Sequence, residues 1–179
     1  MSAPGPKGHE DTIESAARTQ LEAAIALWFA EGEPMPIQTL TFAALRKLHD
    51  LGARRDVAKP SPIISGILKW EKKDRDRMML PIDFAKHGDR QMRDIESVTY
   101  APEVAEHLMY EAMFCYANLF NNLTPLMRIF SAWFTLHNPE LFAEIGIPSL
   151  EKFLLSVKGQ DFTRMTRSEF RDNVLPLIA

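Results

Sequence analysis

The sequence predicts an all-α protein, a single-domain bundle of six to eight helices. Apolar residues recur at helical spacing along most of the chain, and prolines or capping residues followed by glycines separate these stretches. No alternating strand pattern is longer than four residues. The length of 179 residues fits one domain. A domain of that size buries about 70% of its unfolded surface, so it needs no disulfide to fold.

The first two helices are predicted from their caps and apolar stripes. A helix spans Thr12 to Glu31, with Asp11 as its N-cap and Gly32 as a left-handed C-terminal cap. Pro36 then opens a second helix, which Gly52 ends. The predicted core-facing stripe of the second helix comprises Ile37, Leu40, Ala44, Leu48 and Leu51.

Further helices are predicted along the middle of the chain. Ser61-Pro62 begins a third helix, and Pro81 begins a short one that runs to about His87. After a loop, Pro102 opens a long helix to about Asn121. Its second half is apolar nearly all round, which is typical of a central, buried helix.

The last third of the chain is more broken. Thr124-Pro125 caps a helix that ends near Asn138-Pro139, and Thr166-Arg167-Ser168-Glu169 has the pattern of a capping box. We expect residues 1–11 to be a flexible tail and residues 12–179 to be one helical domain. Residues 139–179 are a candidate docking segment, which makes a homodimer the expected assembly.

Composition narrows the class of protein. Cys115 is the only cysteine, so an intrachain disulfide and a zinc site built from cysteines are ruled out. We expect this thiol to pack in the core, because its helix is so apolar. No apolar run is long enough to cross a membrane and the first residues lack a signal-peptide pattern, so a cytoplasmic protein without membrane contact is expected.

Charge is distributed unevenly. The net charge is −3, yet residues 46–93 contain thirteen Lys/Arg against seven Asp/Glu, and the remainder contains eight against seventeen. This basic segment is either a solvated face or a surface for RNA or another anion. The chain has no glycine-rich phosphate loop, dinucleotide fingerprint or nucleophile elbow.

Two sets of residues are candidate metal ligands. His49-Asp50 is a doublet of the kind that supplies adjacent ligands in metal-dependent phosphohydrolases, with His87, Asp89 and His107 as candidate partners. The alternative is that a histidine in the last turn of a helix favours the negative end of its dipole.

The second set lies on the long helix. Glu103, His107 and Glu111 are four residues apart and share a face that could ligate an ion. A partly exposed polar face is the alternative.

The segment from Asp83 to Asp89 is the third candidate. His87 lies at a predicted helix end beside Lys86, where an imidazole titrates near neutral pH, and Lys86 and Arg90 can attract phosphate. A surface helix terminus is the alternative.

This segment also carries a family resemblance. Residues 84–89 (Phe-Ala-Lys-His-Gly-Asp) are similar to the Phe-x-Lys-His-Ala-Asp segment of a group of small, uncharacterised bacterial proteins. The similarity extends to residues 36–41, 48–51 and 133–142, and covers roughly residues 15 to 143.

The same segment resembles the motif of the HEPN superfamily, helical bundles that include RNA-cleaving toxins and nucleotide-binding modules. The resemblance implies a HEPN-like fold in which Asp83 and His87 are the catalytic positions. Ile82 stands where that motif has arginine, so the implied ribonuclease activity is in doubt unless Arg77, Lys86 or Arg90 substitutes.

The first functional hypothesis is therefore a binding or regulatory module for RNA or a nucleotide. His87 and Asp83 would transfer protons if the protein is active, and no cofactor is expected. The residues expected to bind the anion are Lys86, Asp89, Arg90 and Arg93.

Two other hypotheses come from different classes. One is a metal-dependent hydrolase or oxygenase-like enzyme, and the other is a structural homodimer. The candidate ligands of the enzyme are His49, Asp50, His87, His107 and Glu111.

The anionic-ligand hypothesis predicts RNA binding that weakens steeply as salt rises, because bound phosphates release counterions. The double variant Lys86→Ala with His87→Ala should bind a labelled RNA at least about tenfold more weakly at low salt. Fluorescence anisotropy at two salt concentrations measures this. Equal binding by the variant and the native protein contradicts the hypothesis.

Overall fold

The computed structural model describes residues 12–57, 102–142 and 162–178. In these ranges the secondary structure is helical and contains no strand, which confirms the all-α prediction for this part of the chain. The predicted helices at Ser61-Pro62 and Pro81 lie outside the described residues. Five α-helices are described: α1 (Ile13–Phe29), α2 (Pro34–Arg54), α3 (Pro102–Phe120), α4 (Pro125–His137) and α5 (Arg167–Ile178).

Helix α1 begins one residue later than predicted, and its cap is Thr12 rather than Asp11. The Thr12 backbone is extended, and its hydroxyl accepts a 3.1 Å hydrogen bond from the Ser15 amide. A threonine oxygen in this position satisfies one of the amides that the first helical turn leaves without a partner.

The other end of α1 closes with Glu31, not Gly32, in the left-handed conformation, at a φ of 55°. The Gly32 amide then donates to the Leu27 carbonyl at 2.8 Å, which is the six-residue bond of a Schellman motif. A Cβ at position 32 would lie 3.0 Å from that same oxygen. Glycine therefore allows a close backbone approach that a larger residue would tolerate only if the backbone shifted.

Helix α2 is longer than predicted at both ends. It begins at Pro34 after the extended Glu33, and it continues through Gly52 to Arg54. Gly52 is buried inside the helix, so packing outweighs the roughly 1 kcal/mol by which glycine disfavours a helix interior. Leu40 and Leu51 of the predicted stripe are only partly buried. The buried residues are Ile37, Gln38, Thr41, Ala44, Leu45, Leu48 and Gly52.

The predicted ends of α4 and the predicted capping box of α5 are confirmed. Thr124 caps α4 by accepting from the Met127 amide at 3.4 Å, and Asn138 follows its last residue. The capping box of α5 is formed by two reciprocal bonds, in which the Glu169 amide donates to the Thr166 hydroxyl and the Thr166 amide donates to the Glu169 carboxylate. The Glu169 carboxylate accepts from both the amide and the hydroxyl of Thr166, and these two bonds hold the pKa of Glu169 below its ordinary value.

Helix α1 is the centre of the described bundle, because it packs against all four other helices. Helices α1 and α2 are antiparallel, and Lys47 donates a 3.0 Å bond back to Gln20. Helix α2 runs parallel to α3, since His49 lies beside Glu111 while Arg55 lies over the Phe120 ring further along. The end of α2 and the start of α3 are therefore at opposite ends of the bundle.

The described part of the 139–179 segment packs on this same core. Phe170 and Val174 of α5 are fully buried, and Phe162 is nearly so. No described helix is long and apolar enough to span a membrane.

Arg167, the first residue of α5, joins three helices. Its guanidinium lies 3.1 Å from the Glu106 carboxylate of α3 and 4.2 Å from the centre of the Trp28 ring of α1. Burial raises the pKa of Glu106, and the Arg167 charge opposes that rise. The ion pair thus offsets part of the cost of placing a carboxylate among apolar side chains.

We expect Arg167→Ala to lower the free energy of unfolding by about 1 to 3 kcal/mol, since it removes the cation over Trp28 and leaves Glu106 buried without it. Glu106→Gln should cost less, because Arg167 keeps access to water. Urea denaturation measures both values. The matched control is Arg171→Ala, whose exposed partner is its neighbour Asp172, and it should change stability by less than about 0.5 kcal/mol.

Candidate functional site

A fully buried carboxylate marks the candidate site. The Glu111 side chain has 0% of its surface exposed, although it lies on α3, a helix rich in apolar residues. A buried carboxylate is costly unless hydrogen bonds or positive charge compensate it. The groups around Glu111 therefore decide both its cost and its chemistry.

Two other chemically reactive side chains converge on one oxygen of this carboxylate. The Cys115 thiol, one turn later on α3, donates to Oε1 at 3.5 Å. The His49 Nε2 atom, from the adjacent α2, lies 3.7 Å from the same oxygen. One ligand atom from each of the three residues fits within a group whose members are no more than 4.8 Å apart.

The three residues differ in their access to water. Glu111 is fully buried and Cys115 is partly buried, whereas 46% of the His49 side chain is exposed. The cluster therefore extends from the core to the surface along the contact between α2 and α3. Solvent or a small solute meets it at the imidazole.

The metal-free cluster does not suit a nucleophilic cysteine. The Cys115 thiol donates its hydrogen bond to a carboxylate, and burial together with the nearby Glu111 charge raises the pKa of the thiol to about 12. Catalytic thiolates need the opposite, an electropositive and accessible setting that lowers their pKa. At neutral pH this thiol is protonated.

The same geometry suits a tetrahedral metal ion. Zinc binds sulfur at about 2.3 Å and nitrogen or oxygen at about 2.0 to 2.2 Å, so neighbouring ligand atoms are about 3.3 to 3.6 Å apart. The observed separations from Glu111 Oε1 are 3.5 Å to the sulfur and 3.7 Å to the imidazole nitrogen. The third separation, between the sulfur and the imidazole nitrogen, is no more than 4.8 Å, so these two atoms would have to move closer together to bind one ion.

The structure brings together only part of the predicted ligand set. His49 and Glu111 meet, but Asp50 and His107 are not members of the cluster. Nδ1 of His107 lies 2.7 Å from the Glu103 carbonyl oxygen, and its ring packs edge-on against Phe134. Glu111 therefore belongs to the cluster, whereas His107 packs against Phe134, although the two residues were predicted to share one face of the helix.

The residues of the anionic-ligand hypothesis cannot be placed in this way. They all lie outside the described residues, as does the Ile82 position. They are Asp83, Lys86, His87, Asp89, Arg90 and Arg93.

Sequence reasoning missed Cys115 as a member of the site. It was expected to pack in the core, and it does contact the core cluster, but its sulfur also points at Glu111. The signal was the spacing of Glu111 and Cys115, four residues apart and therefore on one helix face.

Comparison of the chain with protein-family models, with curated proteins and with solved structures found no match.

In metal-free protein, we expect Cys115 to react slowly with iodoacetamide at neutral pH, and faster only as pH rises toward the raised pKa of the thiol. Glu111→Gln removes the neighbouring negative charge and therefore lowers the pKa of the Cys115 thiol. Each unit by which this pKa falls gives about tenfold more thiolate at neutral pH. Mass spectrometry of the alkylated chain measures the rate. Glu106→Gln, on the same helix, is the control and should leave it unchanged.

Proposed function

We propose that this protein is a metal-dependent hydrolase with a divalent transition-metal ion between α2 and α3, held by His49 and Glu111. The observation that supports the proposal is the convergence of an imidazole nitrogen and a thiol sulfur on one buried carboxylate oxygen. Core carboxylates are rare. A buried one beside two further metal-binding groups supports a bound ion.

The chemistry would follow from the exposure of the cluster. A bound ion would polarise a carbonyl or phosphoryl oxygen and would lower the pKa of a coordinated water to about 7. Glu111, fixed in the core, supplies a ligand of constant position. The half-exposed His49 supplies a neutral nitrogen ligand at the surface, where water and an ester substrate can enter.

A hydrolase is favoured over an oxygenase by the ligand types. Non-haem iron oxygenases use two histidines and one carboxylate. The cluster that the described residues form has one imidazole, one carboxylate and one thiol, which matches the nitrogen, oxygen and sulfur ligands of zinc.

The proposal predicts about one equivalent of metal per chain and ester hydrolysis that a chelator abolishes and zinc restores. His49→Ala and Glu111→Gln should each weaken metal binding more than about 100-fold, since even the outer partners of metal ligands contribute about 10- to 100-fold. Elemental analysis and hydrolysis of p-nitrophenyl acetate and p-nitrophenyl phosphate measure this. His107→Ala is the matched control, because this histidine lies outside the cluster.

Metal binding that is equal in His49→Ala and native protein would contradict the proposal. So would native protein that binds no zinc after incubation with it. Thermal unfolding of each variant, followed by circular dichroism, separates loss of a ligand from loss of the fold.

The anionic-ligand function, in a HEPN-like bundle, is the second candidate. It is favoured by the exposure of Arg46, Arg54 and Arg55, which begin the basic segment of residues 46–93. Because its central residues around His87 lie outside the described ranges, it stays a prediction, as do the homodimer and the number of helices. The RNA measurement and the metal measurement test the two candidates independently.

A further inference from the structure

The thiol of Cys115 belongs to the same cluster as His49 and Glu111. We infer that Cys115 is a third ligand, bound as thiolate, and that it makes the site selective for zinc-like ions over magnesium, calcium and manganese. This inference rests on the proposed function. It concerns the identity of the ion, whereas the proposed function concerns its presence.

The position of the sulfur supports a direct bond. Cys115 Sγ is 3.5 Å from Glu111 Oε1, which is about the distance between a thiolate sulfur and a carboxylate oxygen on one tetrahedral zinc ion. Both residues lie on the same face of α3, one turn apart, so the helix itself fixes their separation. His49 approaches from α2 and completes a set of three.

Formation of the bond can be balanced without a further reactant. The sulfur–hydrogen bond breaks, the sulfur–metal bond forms, and the proton leaves to solvent water. The hydrogen bond that the thiol donates to Glu111 in the metal-free protein is lost, and the carboxylate oxygen turns to the ion instead. No oxidation state changes.

The resulting ligand set discriminates between metal classes. Magnesium, calcium and manganese prefer oxygen ligands, magnesium in octahedral and calcium in still larger coordination shells, whereas thiolate and imidazole suit zinc and cobalt. Three protein ligands leave one position of a tetrahedron for water, as in catalytic zinc sites. That position would lie on the side of the exposed His49.

Cobalt(II) titration of the full-length, metal-free protein tests the inference. Native protein should develop the visible bands of four-coordinate cobalt together with an intense near-ultraviolet band from thiolate-to-cobalt charge transfer. Cys115→Ser, nearly the same size, should keep weaker cobalt binding and lose the charge-transfer band. Zinc should displace cobalt from native protein, and a hundredfold excess of magnesium should not.

The outcomes separate the two proposals. Cobalt bound to native protein without the charge-transfer band overturns the inference and leaves the metal site of His49 and Glu111 standing. A charge-transfer band that survives in Cys115→Ser also overturns it, because Cys115 is the only cysteine. If native protein binds neither cobalt nor zinc, the proposed function fails with it. His49→Ala supplies the control for loss of binding with the thiol intact.

Discussion

The described structure depends on the packing of α1 against every other described helix. Its buried face includes Leu21, Ile25 and Trp28, all nearly without exposed surface. Because α2 and α3 each pack on α1 and also on one another, their relative position is fixed by three contacts. That constraint holds His49 opposite Glu111. Burial of apolar side chains around α1 therefore stabilises the fold and positions the polar groups of the candidate site.

Much of the fold could be predicted from short sequence patterns. The Thr124 cap, the Thr166 capping box and the long buried helix after Pro102 are all patterns that a few neighbouring residues determine. The errors arose where packing outweighed such patterns. Gly52 is inside α2 rather than after it, because burial of that face compensates for glycine, and Glu31 takes the left-handed conformation that glycine was expected to adopt.

Only part of the candidate site could be predicted from the sequence. Side chains that share one helix, such as Glu111 and Cys115, are brought together by helical spacing, and the sequence contains that spacing. The pairing of α2 with α3 could not be predicted in this way. Helices this far apart along the chain pack together because their apolar faces fit, and a local sequence pattern does not contain that fit. His49 and Glu111 were both recognised as metal-binding types, yet the sequence grouped them with Asp50 and His107, whose positions on their helices direct them elsewhere.

The parallel contact between α2 and α3 also has a consequence for the order of folding. Helices α1 and α2 are joined by a turn of four residues, so their contact closes a short loop. His49 and Glu111 are 62 positions apart, and closing that larger loop costs more chain entropy before any contact repays it. We therefore expect the α1–α2 hairpin to form first. The imidazole then becomes a neighbour of the carboxylate and the thiol only in a later, non-local step, so the site appears after the hairpin and not with it.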